Sequence, residues 1–125
     1  MFKKAAVFTD IHLGLKSNSK IHLQDCEEFV DWFIKNAKEN NCETGIFCGD
    51  WHHNRNTINV QTLDATTRCL EKLGAAFEKF YFFAGNHDLY YKDKRDINSI
   101  DFARHIEGIT MVNEMMTEGD VTLIP

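Results

Sequence analysis

Apolar positions along the chain alternate between two rhythms. Residues 3–9 form a short apolar run that ends in Asp10, the pattern of a buried strand. Over 22–40 the spacing becomes helical. Leu23, Cys26, Val30, Phe33 and Ala37 recur at steps of three and four, Glu27, Asp31, Lys35 and Lys38 fall elsewhere, and Asn40-Asn41 closes the element. Residues 44–48 form a second apolar run, ended by Gly49-Asp50. A second helix is predicted over 58–77, with Val60, Leu63, Thr67, Leu70 and Leu73 on one side. A third strand over 80–84 ends at Gly85-Asn86. A third helix is expected over 97–106, and further strands over 109–112 and 121–124. Gly14, Ser17, Asn18 and Ser19, and the polar stretch 54–56, mark loops.

Strand–helix–strand–helix–strand is the order of parallel strands joined by crossover helices, so the class is α/β. Ligands of such sheets bind beyond the carboxyl ends of the strands, which directs attention to the polar residues there.

The length of 125 residues suits one domain. With 43% apolar and 26% charged residues, the chain has the composition of a folded domain with a real core. No apolar stretch approaches the roughly 20 residues that span a bilayer, so no membrane association is expected. Lys3-Lys4 is followed by only Ala5-Ala6-Val7-Phe8 before Thr9-Asp10, too short for an export signal. Cys26, Cys42, Cys48 and Cys69 show no framework or C-x-x-C spacing and read as reduced thiols of a cytoplasmic protein. With 19 acidic and 14 basic side chains the formal charge is −5, which argues against DNA binding by bulk positive charge. The same acidity is compatible with metal-binding carboxylates.

The three strand ends carry Asp10-Ile11-His12, Gly49-Asp50-Trp51-His52-His53 and Gly85-Asn86-His87-Asp88. Side by side, they would gather Asp, His and Asn side chains on one rim, the ligand types of Zn²⁺, Mn²⁺ or Fe²⁺. Chance alone supplies a D-x-H about 0.5 times in such a composition but a Gly-Asn-His-Asp only about 0.002 times, so the third motif carries most of the weight. His52 and His53 are adjacent and face opposite ways in an extended backbone, so at most one belongs to the rim.

These motifs, in this order, resemble the calcineurin-like metallophosphoesterases. Within them, Asp10-Ile11-His12-Leu13-Gly14, Gly49-Asp50-Trp51-His52-His53 and Gly85-Asn86-His87-Asp88-Leu89 resemble the nuclease subunits of double-strand-break repair and recombination in phages and bacteria. The resemblance implies a β-sandwich flanked by helices, represented here by its N-terminal half: βαβαβ followed by a helix and strands, over residues 1–125. It implies two divalent metal ions, Mn²⁺ before Zn²⁺, Fe²⁺ or Mg²⁺. Asp10 and His12 would hold the first, Asp50 would bridge both, and Asn86 would hold the second. His87 would act on the scissile phosphate as general acid or transition-state stabiliser, with Asp88 orienting it. His53 falls where the nuclease branch has a His near the phosphate. Water activated between the ions would attack phosphorus in line with the leaving oxygen. Implied partners are double-stranded DNA ends and an SMC-like ATPase, in a bacterial cell or phage-infected host.

The family completes its metal site with three further histidines, two of them in a G-H-x-H. Of His12, His22, His52, His53, His87 and His105, none lies in such a motif. The expectation is therefore a domain truncated before its last ligands, with little or no activity as an isolated chain. An uncovered apolar face would then favour self-association. His22 and His105 read as solvated helix-end residues. Lys16, Lys20 and the run Tyr90-Tyr91-Lys92-Asp93-Lys94-Arg95-Asp96 could touch a DNA backbone, although charge-mixed loops are ordinarily just solvated. A small-substrate phosphatase or phosphodiesterase and a non-catalytic partner-binding fragment are the alternative functions.

Overall fold

A computed structural model describes residues 3–125; Met1 and Phe2, at the head of the basic start, lie outside the described residues. Strands β1 (Ala5–Phe8), β2 (Thr44–Phe47), β3 (Lys79–Phe82) and β4 (Ile109–Met111) form one parallel sheet in the order β1-β2-β3-β4. Two long helices, α2 (Lys20–Glu39) and α3 (Val60–Ala76), cross from β1 to β2 and from β2 to β3. The short α1 (Leu15–Asn18) is a tight turn rather than a regular helix, because Lys16 and Ser17 have left-handed φ.

Alternation along the strands sends side chains to two faces. Phe8, Phe47, Phe80 and Phe82 meet the helices in the larger core, together with the fully buried Trp51. Tyr81 and Phe83 point the other way. There Tyr81, Val112 and Leu123 form a smaller cluster, with Ile46, Phe83, Met116 and Val121 packed against it. The strands of the small antiparallel hairpin, β5 (Met116–Glu118) and β6 (Val121–Leu123), supply part of that cluster. Of the two, β5 was not expected from the sequence. Among the described residues no helix is long and apolar enough to cross a membrane.

Helix α2 buries the expected stripe of Leu23, Cys26, Val30, Phe33 and Ala37. Ser19 caps its start by accepting from His22 N–H, and Asn41 follows its end with φ 57°. Helix α3 departs from expectation. Leu70 and Leu73 are buried, but Val60 is 81% exposed and Leu63 41%. The face turned inward is Thr62, Ala65, Thr66, Cys69, Leu70, Leu73 and Gly74. Two buried threonines are tolerated because both hydroxyls have partners. Thr62 Oγ1 donates to Asn18 Oδ1 (2.8 Å), and Thr66 Oγ1 accepts from Trp51 Nε1 (3.1 Å).

The third expected helix shrinks to a 3-10 turn, Asp101–His105. Upstream, Leu89 and Asn98 form an antiparallel bridge and Tyr90 N–H donates to Ile97 O (3.0 Å), so the chain doubles back. The Asn98 side chain then accepts from Ile100 N–H (3.1 Å). An Asn that satisfies the backbone locally offers an alternative to helix, which accounts for the late and short turn.

Candidate metal centre

Beyond the strand ends, the first two motifs continue side by side. Asp10 N–H donates to Gly49 O (2.9 Å), His12 N–H to Asp50 O (3.1 Å), Leu13 N–H to Trp51 O (2.7 Å) and His53 N–H to Leu13 O (2.8 Å). Asp10, His12 and Asp50 hold left-handed φ values of 57°, 49° and 61°. Three such non-glycine residues in adjoining turns store strain of about 1–3 kcal/mol each, of the kind that gathers at functional sites. Gly49 and Gly85 make the second and third motifs touch. A Cβ at Gly49 would stand 2.7 Å from Gly85 Cα, and one at Gly85 would collide with the backbone nitrogen and carboxylate of Asp50.

Side chains from all three motifs converge. Asp10, His12 and Asp50 each offer a ligand atom within 4.8 Å of the others, and so do His12, His53 and His87; His12 belongs to both groups. His12 Nε2 lies 3.5 Å from Asp10 Oδ1 and 3.9 Å from Asp50 Oδ2. The ring of His87 stands 4.8 Å from that of His12 and 5.5 Å from that of His53, centroid to centroid. Asn86 is exposed and lines a cavity of about 350 Å³ together with Asp10 and Asp50. The Thr9 hydroxyl, donating to Asp10 Oδ2 (2.7 Å), holds the Asp10 carboxyl below its usual range, with help from His12 and His87 and against a smaller effect of burial. Burial, reinforced by His12, His87 and His22, pushes His53 down.

Two residues serve the site by tying its parts. Asp88 is fully buried. Its Oδ2 accepts from Trp51 N–H (3.1 Å) and Gly85 N–H (2.9 Å), and its Oδ1 accepts from His52 N–H (2.8 Å). Burial raises its pKa while these backbone donors pull it back. Asp50 Oδ1 in turn accepts from His87 N–H (2.8 Å), so a carboxylate of the second motif holds the backbone of the third. The group at the His87 ring is the carbonyl of His53, 3.0 Å from Nδ1, rather than the Asp88 carboxylate that the family resemblance suggested. A carbonyl can only accept, so His87 carries its proton on Nδ1 and presents Nε2.

The adjacent histidines part company. His53 joins His12 and His87, whereas His52 is fully buried between Ser99 Oγ and Thr66 Oγ1, each 2.8 Å from a ring nitrogen. Burial takes its pKa down to about 4, and the neutral ring donates at one nitrogen and accepts at the other. His22 is not a solvated helix-end group. Its Nε2–H donates to His12 O (3.1 Å), and Cys26 Sγ lies 3.5 Å away. His105 is exposed and meets Arg104. All four cysteines are free, and burial raises Cys26 to about 11 and Cys69 to about 12, so both are protonated thiols. Sequence spacing alone did not single out His22, Thr66 or Ser99, because their contacts to the motifs cross 10, 15 and 47 residues of chain.

The residues present fit a divalent cation. The donor set is carboxylate and imidazole, and the buried Nδ1 atoms of His12 and His53 have no hydrogen-bond partner.

A family model described as calcineurin-like phosphoesterase matches residues 3–117. No curated protein matches the chain. Among solved structures, the chain is similar to the nuclease MPE of Pseudomonas putida, with a TM-score of 0.58 and 22% identity over 93% of this chain. At that identity the likeness is one of fold. The chain spans 50% of the length of that nuclease.

Proposed function

The chain belongs to the calcineurin-like phosphoesterase family, and from that premise we propose that it provides the metal-binding half-site of a phosphodiester hydrolase that acts on DNA ends. The observation that carries this reading is the meeting of two trios, Asp10, His12 and Asp50 and His12, His53 and His87, each with its ligand atoms within 4.8 Å of one another, at the carboxyl ends of parallel strands. Asp10, His12 and Asp50 would hold a divalent ion, with Mn²⁺ the first candidate, and Asn86 faces the same cavity for a second. Bound there, such ions supply Lewis acidity and a nucleophilic water at neutral pH.

The chain's own residues do the rest. The Asp50 carboxylate divides its oxygens, Oδ1 holding His87 N–H and Oδ2 turned toward His12. His87, fixed through Nδ1–H, can carry a second proton only on Nε2, the atom that would deliver it to a leaving oxygen. His53 stands beside it, its pKa pushed down by burial and by the neighbouring rings. The nuclease assignment rests on His53, which has the position of the nuclease branch, and on the fold likeness to a bacterial nuclease. An SMC-like ATPase is the partner this branch would use.

Calorimetry with Mn²⁺, followed by hydrolysis of linear duplex DNA and of bis(p-nitrophenyl) phosphate, tests the reading. Mn²⁺ binding that Asp50→Asn abolishes is expected, with at most weak release of nucleotides from DNA ends, because the half-site lacks the further histidines of the family. Turnover of the chromogenic diester alone would assign a small substrate, and failure to bind any divalent ion would overturn the reading.

A further inference from the structure

Asp10, Asp50 and Asn86 share their cavity with one cation. Among the described residues that line it, Arg95 alone carries a positive charge. It belongs to the excursion that follows the third motif. Tyr90 N–H pairs with Ile97 O, Arg55 Nη1 donates to Leu89 O (3.0 Å), and the doubled-back chain brings Arg95 over the end of β3. There its Nη1 donates to Ala84 O (3.4 Å), two residues before Asn86.

Arg68 pairs with Glu27 and Asp64, and Arg104 with Asp101. Arg55 and Arg95 make no ion pair among the described residues, and of these two only Arg95 lines the cavity. Arg95 makes none although two carboxylates line that cavity. A carbonyl takes one edge of the guanidinium, and its remaining donors have no hydrogen-bond partner among the described residues. A planar fork of N–H donors matches the oxygens of a phosphoryl group.

We propose that Arg95 is a substrate-binding residue whose guanidinium takes a non-bridging oxygen of the phosphoryl group, facing Asp10, Asp50 and Asn86 across the cavity. This rests on the phosphoester-hydrolase reading above. The carboxylates hold the metal side of the phosphoryl group and Arg95 the other. A fixed cation there also meets the charge that grows on the non-bridging oxygens as the bond breaks. An acidic protein thereby binds an anion without a basic surface.

The test is calorimetric titration of inorganic phosphate into the Mn²⁺-loaded protein, after the Mn²⁺ affinity of each variant has been measured. Arg95 is exposed, so its replacement does not threaten the core. Arg95→Gln is expected to bind Mn²⁺ as the wild type does and to weaken phosphate binding roughly 10- to 100-fold, and Arg95→Lys to recover part of the loss. Equal phosphate affinity in wild type and Arg95→Gln, or no phosphate binding by the wild type, overturns the proposal and leaves the metal reading standing. A wild type that binds no Mn²⁺ overturns the metal reading instead. Phosphate titrated into the metal-free protein then decides Arg95: weaker binding in Arg95→Gln supports the proposal, and equal binding overturns it.

Discussion

His52 and His53 are neighbours in the chain and sit in different worlds. One ring is sealed between two hydroxyls, while the other faces His12 and His87. Alternation of an extended backbone foretold that they would diverge, and the long-range partners decided how. The motif residues were legible because each follows an apolar run and lies within a few positions of a glycine. What was not legible is how they hold one another. Asp88 illustrates this, since its carboxylate gathers backbone N–H groups from residues 36 and 37 positions away. Asp88→Asn keeps the shape but puts an amide N–H against backbone donors. It should cost about 1–3 kcal/mol in urea unfolding, the usual penalty of buried donors left without an acceptor. Mn²⁺ affinity should fall with it, roughly 10-fold or more, because Gly85 and Trp51 flank candidate ligands. Unchanged urea midpoints would show that the clamp contributes nothing. Asp50→Asn makes a sharper claim. It leaves Oδ1 to accept from His87 N–H, so the fold should hold while Mn²⁺ binding measured by calorimetry is lost.

At the scale of elements, the positions of every strand but β5 and the face of α2 could be read from periodicity, because apart from Thr44 the residues they bury are apolar. Helix α3 could not be read that way. Its apolar residues Val60 and Leu63 lie outward, and Thr66 lies inward under Trp51 and His52. The stripe is set by the loop that packs on it rather than by hydrophobicity alone. Two substitutions separate these accounts. Thr66→Val keeps volume but strips Trp51 Nε1–H and one His52 nitrogen of their partner, and it should destabilise by about 1–3 kcal/mol. Leu63→Ala removes more apolar surface from a half-exposed site and should cost less than about 1 kcal/mol. Thermal unfolding that ranks Leu63→Ala as the more damaging would mean that the helix face has been misassigned. The lost third helix has the same origin, since Asn98 satisfies the backbone locally before a helical turn can start.

For the molecule as a whole, the order of elements dictated a parallel sheet, and the sheet dictated where chemistry could be placed. It also dictated that the second motif be anchored inward, and this gives the fold a pH response. His52 has a pKa of about 4 in the folded chain against an ordinary 6.5. Between those values the unfolded chain binds the proton and the folded chain does not, so stability rises with pH. The contribution is complete above about 6.5 and is lost as pH falls toward 4, about 3 kcal/mol over the window. Asp88 works in the opposite sense. Its pKa is raised on folding, so the stability it contributes is greatest in acid and declines as pH rises through its folded value. The net acid loss of the wild type is therefore smaller than the His52 contribution, and a second variant is needed to isolate it. His52→Gln can offer a carbonyl and an amide to Ser99 and Thr66 but cannot titrate. Urea midpoints of both proteins, measured from pH 4 to 7.5 with chelator present, should give a wild-type profile steeper by about 3 kcal/mol. Asp88 cancels in the difference. Parallel profiles would mean that the imidazole between Ser99 and Thr66 admits a proton as readily as one in water, and that the second motif is not sealed against solvent from beneath.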